Sequence, residues 1–312
     1  LSDPLPPSGG TAPSAARSLP AAVWRAVRTD ITTTVAAVVV LAIVLMAVFA
    51  DVLVAIEGQD LDRDITRLGP TGLPAGALGG ISGDHWFGVI PFSGIDLFAD
   101  VAYGARTSLL IGLAATAVSL LLGVLLGAAA AYLGGWVDRV ITWSGDVLFG
   151  FPYLIFMIAL AAVTPPSVPR QLLLIIVIGF FGWPRVARIV RAQTLTLTKR
   201  NFVSASRVMG GGPWHVFTRQ LLPNLWAPII IVGTLSIPEK IGLEAALSFL
   251  GAGVPVPTPS WGRTISSAVD FVETDPMYLV FPGLALFLVT LGFNLVGDAL
   301  RDALDPRAEG RS

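Results

Sequence analysis

Glu239, Lys240 and Glu244 interrupt one apolar stretch of this 312-residue chain, and Asp146 stands early in another. A charge at mid-bilayer costs at least about 2.5–3.5 kcal/mol on insertion scales, so these side chains are expected to turn away from lipid. Two readings of them follow. In one, Lys240 and Glu244 pair across a single helical turn, worth only a few tenths of a kcal/mol if solvated, and Asp146 is a helix-end carboxylate hydrogen-bonded between subunits. In the other, Asp146, Glu239, Lys240 and Glu244 line a path for polar or zwitterionic cargo. The same carboxylates could titrate in an ion-gradient-driven carrier.

Other chemistries find few residues to work with. The chain has no cysteine, which removes disulfides, thiolate metal sites and cysteine nucleophiles. Its two histidines, His85 and His215, fall in expected loops and offer neither a base within the bilayer nor a ligand cluster. No metal or cofactor is expected. The only lysines, Lys199 and Lys240, belong to no GxxxxGK[ST] phosphate loop, so this chain is not expected to hydrolyse ATP. Secondary carriers usually show internal repeats, and no block here has a convincing second copy. A membrane scaffold is a third class open to this composition.

The elements that must position these charges follow from hydropathy. Charged residues make up 13% of the chain, about half the share of a soluble protein. Crossing the hydrocarbon takes about 20 apolar residues, and six stretches qualify: Ile31 to Ile56, Thr107 to Tyr132, Val140 to Val163, Gln171 to Ile189, Leu225 to Leu250 and Tyr278 to Leu300. Pro152 in the third, and Pro228 and Pro238 in the fifth, predict local breaks. The expected fold is an all-α integral membrane protein of six transmembrane helices with a cytoplasmic helical arm.

Orientation follows from the basic residues, which accumulate on the cytoplasmic side. From the end of the fourth span to the start of the fifth come Arg185, Arg188, Arg191, Lys199, Arg200, Arg207 and Arg219, with no acid among them. That connection reads as cytoplasmic. Residues 57–103 and 251–277 carry acids and read as extracytoplasmic, the first Gly- and Pro-rich and irregular. Residues 1–30, with Arg17, Arg25 and Arg28, read as a disordered cytoplasmic tail, and residues 304–312, with Arg307 and Arg311, as a cytoplasmic C-terminal tail. The core from 104 to 303 then carries five of the six helices.

Residues 201–224 form the polar, basic arm. Asn201 is a suitable N-cap, and Phe202, Ala205, Ser206 and Met209 follow at helical spacing as one apolar face with small residues at its centre. Gly210, Gly211 and Gly212 end that helix. Pro213 suits the first turn of a second one running through Trp214 and Phe217 towards Pro223. Such a helix could lie in headgroups. Lipid, however, does not require small residues or a glycine bend, whereas a protein groove does. Burying Phe202 and Met209 in a groove would stabilise docking by about 1.5–3 kcal/mol each.

The arm resembles the coupling loop of permeases in importers of the ATP-binding cassette superfamily, whose pattern is EAA, three residues, G, nine residues, I, one residue, LP. Ala205, Gly210, Leu222 and Pro223 match in register, while Ser204, Ser206 and Gln220 depart from it. HWFG at 85–88, YGARTSL at 103–109, GGWVD at 134–138, LEAALSFLGAGV at 243–254, PTPSWG at 257–262 and GDALRDALDPR at 297–307 resemble the second permease of dipeptide and oligopeptide importers. The resemblance implies a bacterial inner-membrane protein with a type I importer fold, forming half of a channel for dipeptides, oligopeptides, haem or nickel complexes. It also implies a homologous second permease, two ATPases that bind ATP and magnesium, and an external solute-binding protein. Asn201, Phe202, Ala205, Met209, Gly210, Pro213, Phe217, Leu222 and Pro223 are then the expected coupling residues. Pro257, Pro259 and Trp261 become a candidate binding-protein dock, with a plain interfacial Trp as the simpler reading of Trp261.

Overall fold

Hydrocarbon offers backbone amides no partner but one another, and the chain answers with helices. The computed structural model describes residues 30–76, 78–165 and 167–304; both terminal tails read from the sequence, with Arg17, Arg25, Arg28, Arg307 and Arg311, lie outside the described residues. Among these residues there is no strand, only the isolated bridges Leu68 to Pro74 and Val89 to Asp96.

The helices are α1 (Ile31–Val48), α2 (Ala50–Glu57), α3 (Leu97–Leu133), α4 (Gly135–Phe149), α5 (Tyr153–Val163), α6 (Arg170–Leu197), α7 (Asn201–Val208), α8 (Pro213–Val216), α9 (Leu222–Phe249), α10 (Trp261–Ala268) and α11 (Pro276–Leu304). Five stretches are long and apolar enough to cross a membrane; α4 and α5, bent by 79°, make a sixth if taken as one broken span. The protein is therefore a nearly all-helical, multi-pass membrane protein.

The prolines divide into two groups. Pro152 precedes α5 at the 79° bend, as expected for a residue that cannot donate to the helix it enters. Pro228 and Pro238 do not break the fifth span: α9 runs through both. The first span, conversely, is two helices meeting at Phe49, whose backbone leaves the helical region.

The long α3 is the spine. Its 37 residues rise about 55 Å, well beyond the hydrocarbon core, and begin at Leu97, so the preceding loop ends at Asp96 rather than at residue 103. Against α6 it packs through small residues: a methyl on Gly127 would strike the Ala187 backbone, and one on Gly179 would strike Val118. Without a hydrophobic drive between helices in lipid, such close approach is what dispersion needs. One buried cluster joins α1, α3, α9, α10 and α11 through Ile43, Val101, Leu109, Ile241, Trp261 and Val289. A second joins α3, α5, α6 and α9 through Ile111, Met157, Leu174, Ile178 and Leu247.

At the end of α3 away from the arm, α10 is locked in by polar contacts. Trp261 is fully buried and its indole N–H donates to the Val101 carbonyl at 3.0 Å. Trp261 is therefore not a surface anchor, and Pro259 is buried with it, which leaves Pro257 exposed beside the cis Val256–Pro257 bond. Asp100 accepts from Arg263 at 3.2 Å and from Thr264 at 2.5 Å, joining α3 to α10. Breaking a buried pair leaves the survivor's charge uncompensated. Asp100→Ala should lower unfolding stability in detergent by about 3–5 kcal/mol, and adding Arg263→Met should recover most of that loss; equal loss in both variants would show that the pair does not join these helices.

The irregular loop is tied down by a buried acid pair. Glu57 accepts the Trp86 N–H at 2.7 Å, and Asp96 accepts from Ala99 at the start of α3 while bonding His85 Nδ1 at 2.9 Å. Burial, with Asp96 beside it, pushes the Glu57 carboxyl up to about 7. The folded state thus holds this proton more tightly than the unfolded chain, so the stabilisation is full below about pH 4.5 and is lost as pH rises towards 7. Hydrogen exchange at Trp86, corrected for intrinsic rate, should lose protection across that window, and Glu57→Gln should abolish the pH dependence.

Candidate functional site

The arm between α6 and α9 is held from beneath and open above. Val203, Val216 and Leu221 have no exposed surface and pack with Tyr132, Leu197 and Phe217, clamping the arm to the ends of α3 and α6. Arg207 lies over the Tyr132 ring at 5.6 Å. Sequence reasoning missed this inner face; its only signal was Val203 and Ser206, three residues apart and so close together on the helix surface.

The outward side carries most of the expected coupling residues. Phe202, Ala205, Met209, Gly210 and Pro213 are exposed, Met209 at 80%. Ser206 does not share that face: it is buried inward, its carbonyl accepting the Gly211 N–H at 2.9 Å. Nor does Asn201 cap the helix. Arg200 occupies the cap position with extended backbone, and Asn201 is already the first helical residue with no side-chain cap bond. An extended residue must precede the first turn, and here Arg200 supplies it.

Gly210 takes φ of +86°, the left-handed conformation in which glycine ends helices at no steric cost. Pro213 opens α8, as its missing N–H allows, but α8 ends at Val216. A π-helical turn, Phe217–Leu221, then leads into Leu222 and Pro223 at the start of α9. His215 thus sits in a short helix rather than a loop. Gln220, where the pattern has Ile, is part-buried, and its carbonyl accepts from Asn224.

The second feature is a ladder of charges. Arg185, Arg188 and Arg191, expected in the connecting loop, instead lie on α6 at three-residue spacing, so they share one side of the helix. Each meets an acid: Arg185 pairs with Glu239 on α9 at 2.5 Å, Arg188 with Asp146 on α4 at 2.9 Å, and Arg191 with Asp138 on α4 at 2.5 and 2.6 Å. Asp146 is thus paired within its own chain. A cavity of 230 Å³ lies beside the lower rungs, lined by Gly127, Gly145, Asp146, Trp183, Arg188 and Arg191. Both partners of the first two pairs remain largely exposed.

Lys240 and Glu244 do not pair. The Lys240 ammonium reaches between α3 and α6, into room left by Gly182, where a methyl would meet both it and Ser119 Oγ. Its ion-pair partner is Glu239, at 4.0 Å. Glu244 points the other way, fully buried, and accepts from Ser248 at 2.7 Å near Ser108 and Ser260. The two share one helix face by spacing, and it is their separate neighbours on other elements that hold them apart. Of the four expected path residues, the structure groups Glu239 with Lys240 and leaves Asp146 and Glu244 apart.

Comparison with known proteins agrees with this architecture. Residues 104–310 match the family of binding-protein-dependent transport system inner membrane components. The chain is 35% identical over 270 residues to the dipeptide transport system permease protein of Alkalihalophilus pseudofirmus, covering 86% of this chain and 84% of that one. It is 36% identical over 288 residues to the glutathione transport system permease protein of Escherichia coli, covering 92% and 90%. To a putative peptide permease protein of Brucella ovis it is 40% identical over 227 residues, covering 72% and 74%. With membrane-spanning helices, an arm in register and a family match over most of its length, the chain belongs to the binding-protein-dependent transport system inner membrane components, the permease subunits of ATP-binding cassette importers.

Proposed function

We propose that this chain is half of a peptide channel in a bacterial inner membrane, driven by ATPases that grip the arm from the cytoplasm. The observation that carries the reading is the two-sided arm: Val203, Val216 and Leu221 bind it to the chain's own helices, while Phe202, Ala205 and Met209 remain uncovered. A lipid-adsorbed helix would not need this seat on the chain's own helices; a helix pushed and pulled by a partner would. Lys199, Arg200, Arg207 and Arg219 put the arm in the cytoplasm by the charge rule. A second permease faces this one, two ATPases hold ATP and magnesium, and a solute-binding protein delivers cargo at the opposite end, near Pro257. Peptides are the cargo class named in the similar permeases.

The exposed ion pairs support a channel wall. Arg185 with Glu239 and Arg188 with Asp146 lie on apolar helices yet stay uncovered in this chain. Lipid cannot take that face at acceptable cost, so water and the second permease share it. Glu244 has no place on this wall, since it is sealed in the interior.

Two measurements test the reading. A methyl on Gly210 would strike nothing within 4 Å, so Gly210→Val disturbs the backbone conformation and not the packing. It should leave membrane levels unchanged and cut the ratio of peptide moved to ATP hydrolysed several-fold in the reconstituted complex; normal coupling would refute the arm's role. Because the chain has no cysteine, Glu239→Cys and Asp146→Cys each place a single thiol on the ladder. A charged, membrane-impermeant thiol reagent should label both in the assembled transporter, with rates that change on ATP binding, whereas the exposed Leu41 on α1, changed to Cys, stays unlabelled in lipid.

A further inference from the structure

One cluster on α5, α6 and α9 carries more positive charge than it neutralises. Arg185 and Lys240 both face the Glu239 carboxylate, Arg185 on Oε2 at 2.5 Å and Lys240 near Oε1 at 4.0 Å. One carboxylate thus meets two cations. Lys240 makes no other ion pair among the described residues, and at 4.0 Å it is beyond hydrogen-bond reach of Glu239. No hydrogen bond from the ammonium joins it to a carboxylate among the described residues, while the neighbouring Ser119 hydroxyl donates to the Gly179 carbonyl at 2.7 Å.

Tyr153 completes the cluster. It opens α5 directly after the 79° bend, and its hydroxyl is buried without a hydrogen-bond partner among the described residues. Its ring lies 5.4 Å from that of Phe181 on α6, the residue before Gly182, whose missing side chain makes room for Lys240. A buried hydroxyl without a partner costs free energy that any acceptor arriving there would relieve. The site therefore holds a guanidinium and an under-used ammonium at one carboxylate, with a free O–H donor on the adjoining α5, and Glu239, at 38% side-chain exposure, borders open space.

We propose that Arg185, Lys240 and Tyr153 form a carboxylate-binding station on the channel wall, which Glu239 fills in this state and which the C-terminal carboxylate of a passing peptide takes by displacing it. The inference rests on the channel reading above. Guanidinium and ammonium donors to a carboxylate make the stronger class of hydrogen bond, and a carboxamide in its place forfeits the charge.

The complete transporter, with ATPases and binding protein, tests this in proteoliposomes with trialanine and its C-terminal amide, the same binding protein serving every arm. The wild type should favour the free acid. Lys240→Met should reduce that preference by roughly tenfold, and Tyr153→Phe should reduce it in the same direction while keeping the ring's packing. Glu239→Gln, which removes the internal competitor, should raise it. This opposite sign is what a merely structural cluster would not give. Preference unchanged in all three variants, or uptake of acid and amide falling together, overturns the station and leaves the channel standing. A wild-type complex that moves neither peptide overturns the peptide reading along with it.

Discussion

An arginine every three residues along a membrane helix is tolerable only if something meets each guanidinium before lipid does, and much of this structure follows from that requirement. Three carboxylates do so, from two different helices: Asp138 and Asp146 on α4, Glu239 on α9. To reach them, α4 must lie alongside α6, and the chain must then turn sharply to enter α5. The 79° bend at Pro152 is where that turn occurs. Replacing the arginines by leucines would suit lipid better, but would leave three acids without partners. The arrangement is consistent as a set and costly in parts.

The two ends of the molecule are built on different principles. Beneath the arm, contact is almost wholly apolar, through Val203, Val216 and Leu221. At the far end, α10 is held by directional bonds from Trp261, Arg263 and Thr264 to α3. Apolar contact tolerates sliding and rolling, whereas a network of buried hydrogen bonds has one satisfactory geometry. The proposed function would use the difference, with an arm able to shift on its seat and a fixed frame at the opposite end.

Hydropathy alone revealed the number and approximate positions of the spans, because the length of an apolar run is a direct image of bilayer thickness. The arm was legible from Gly210, Pro213 and the spacing of its apolar residues, since glycine and proline constrain the backbone whatever surrounds them. Its cap was not: Asn201 suits the cap position by residue type, but the extended backbone falls at Arg200, which no local preference predicts. Arg185, Arg188 and Arg191 look like loop residues to any rule that counts charges; only the position of their partners, 42 to 54 residues away in sequence, makes them helical. Lys240 and Glu244 misled for the same reason. Their spacing invited a pair, but Gly182 on another helix left room for the lysine elsewhere, and no local pattern records a space. Trp261 reads as an interfacial residue from its surroundings in sequence, and only the Val101 carbonyl, 160 residues away, explains why it is buried.

The unbroken length of α3 has a mechanical side. Its first turns carry Asp100, the anchor of α10, and its last turn carries Tyr132, the seat of the arm. No proline interrupts the 37 residues between its ends. A rod about 55 Å long that tilts by about 5° around its middle carries each end through roughly 2 Å, in opposite directions. Whatever displaces the arm sideways therefore shifts α10 the other way by a similar distance, with no hinge between them to absorb the movement.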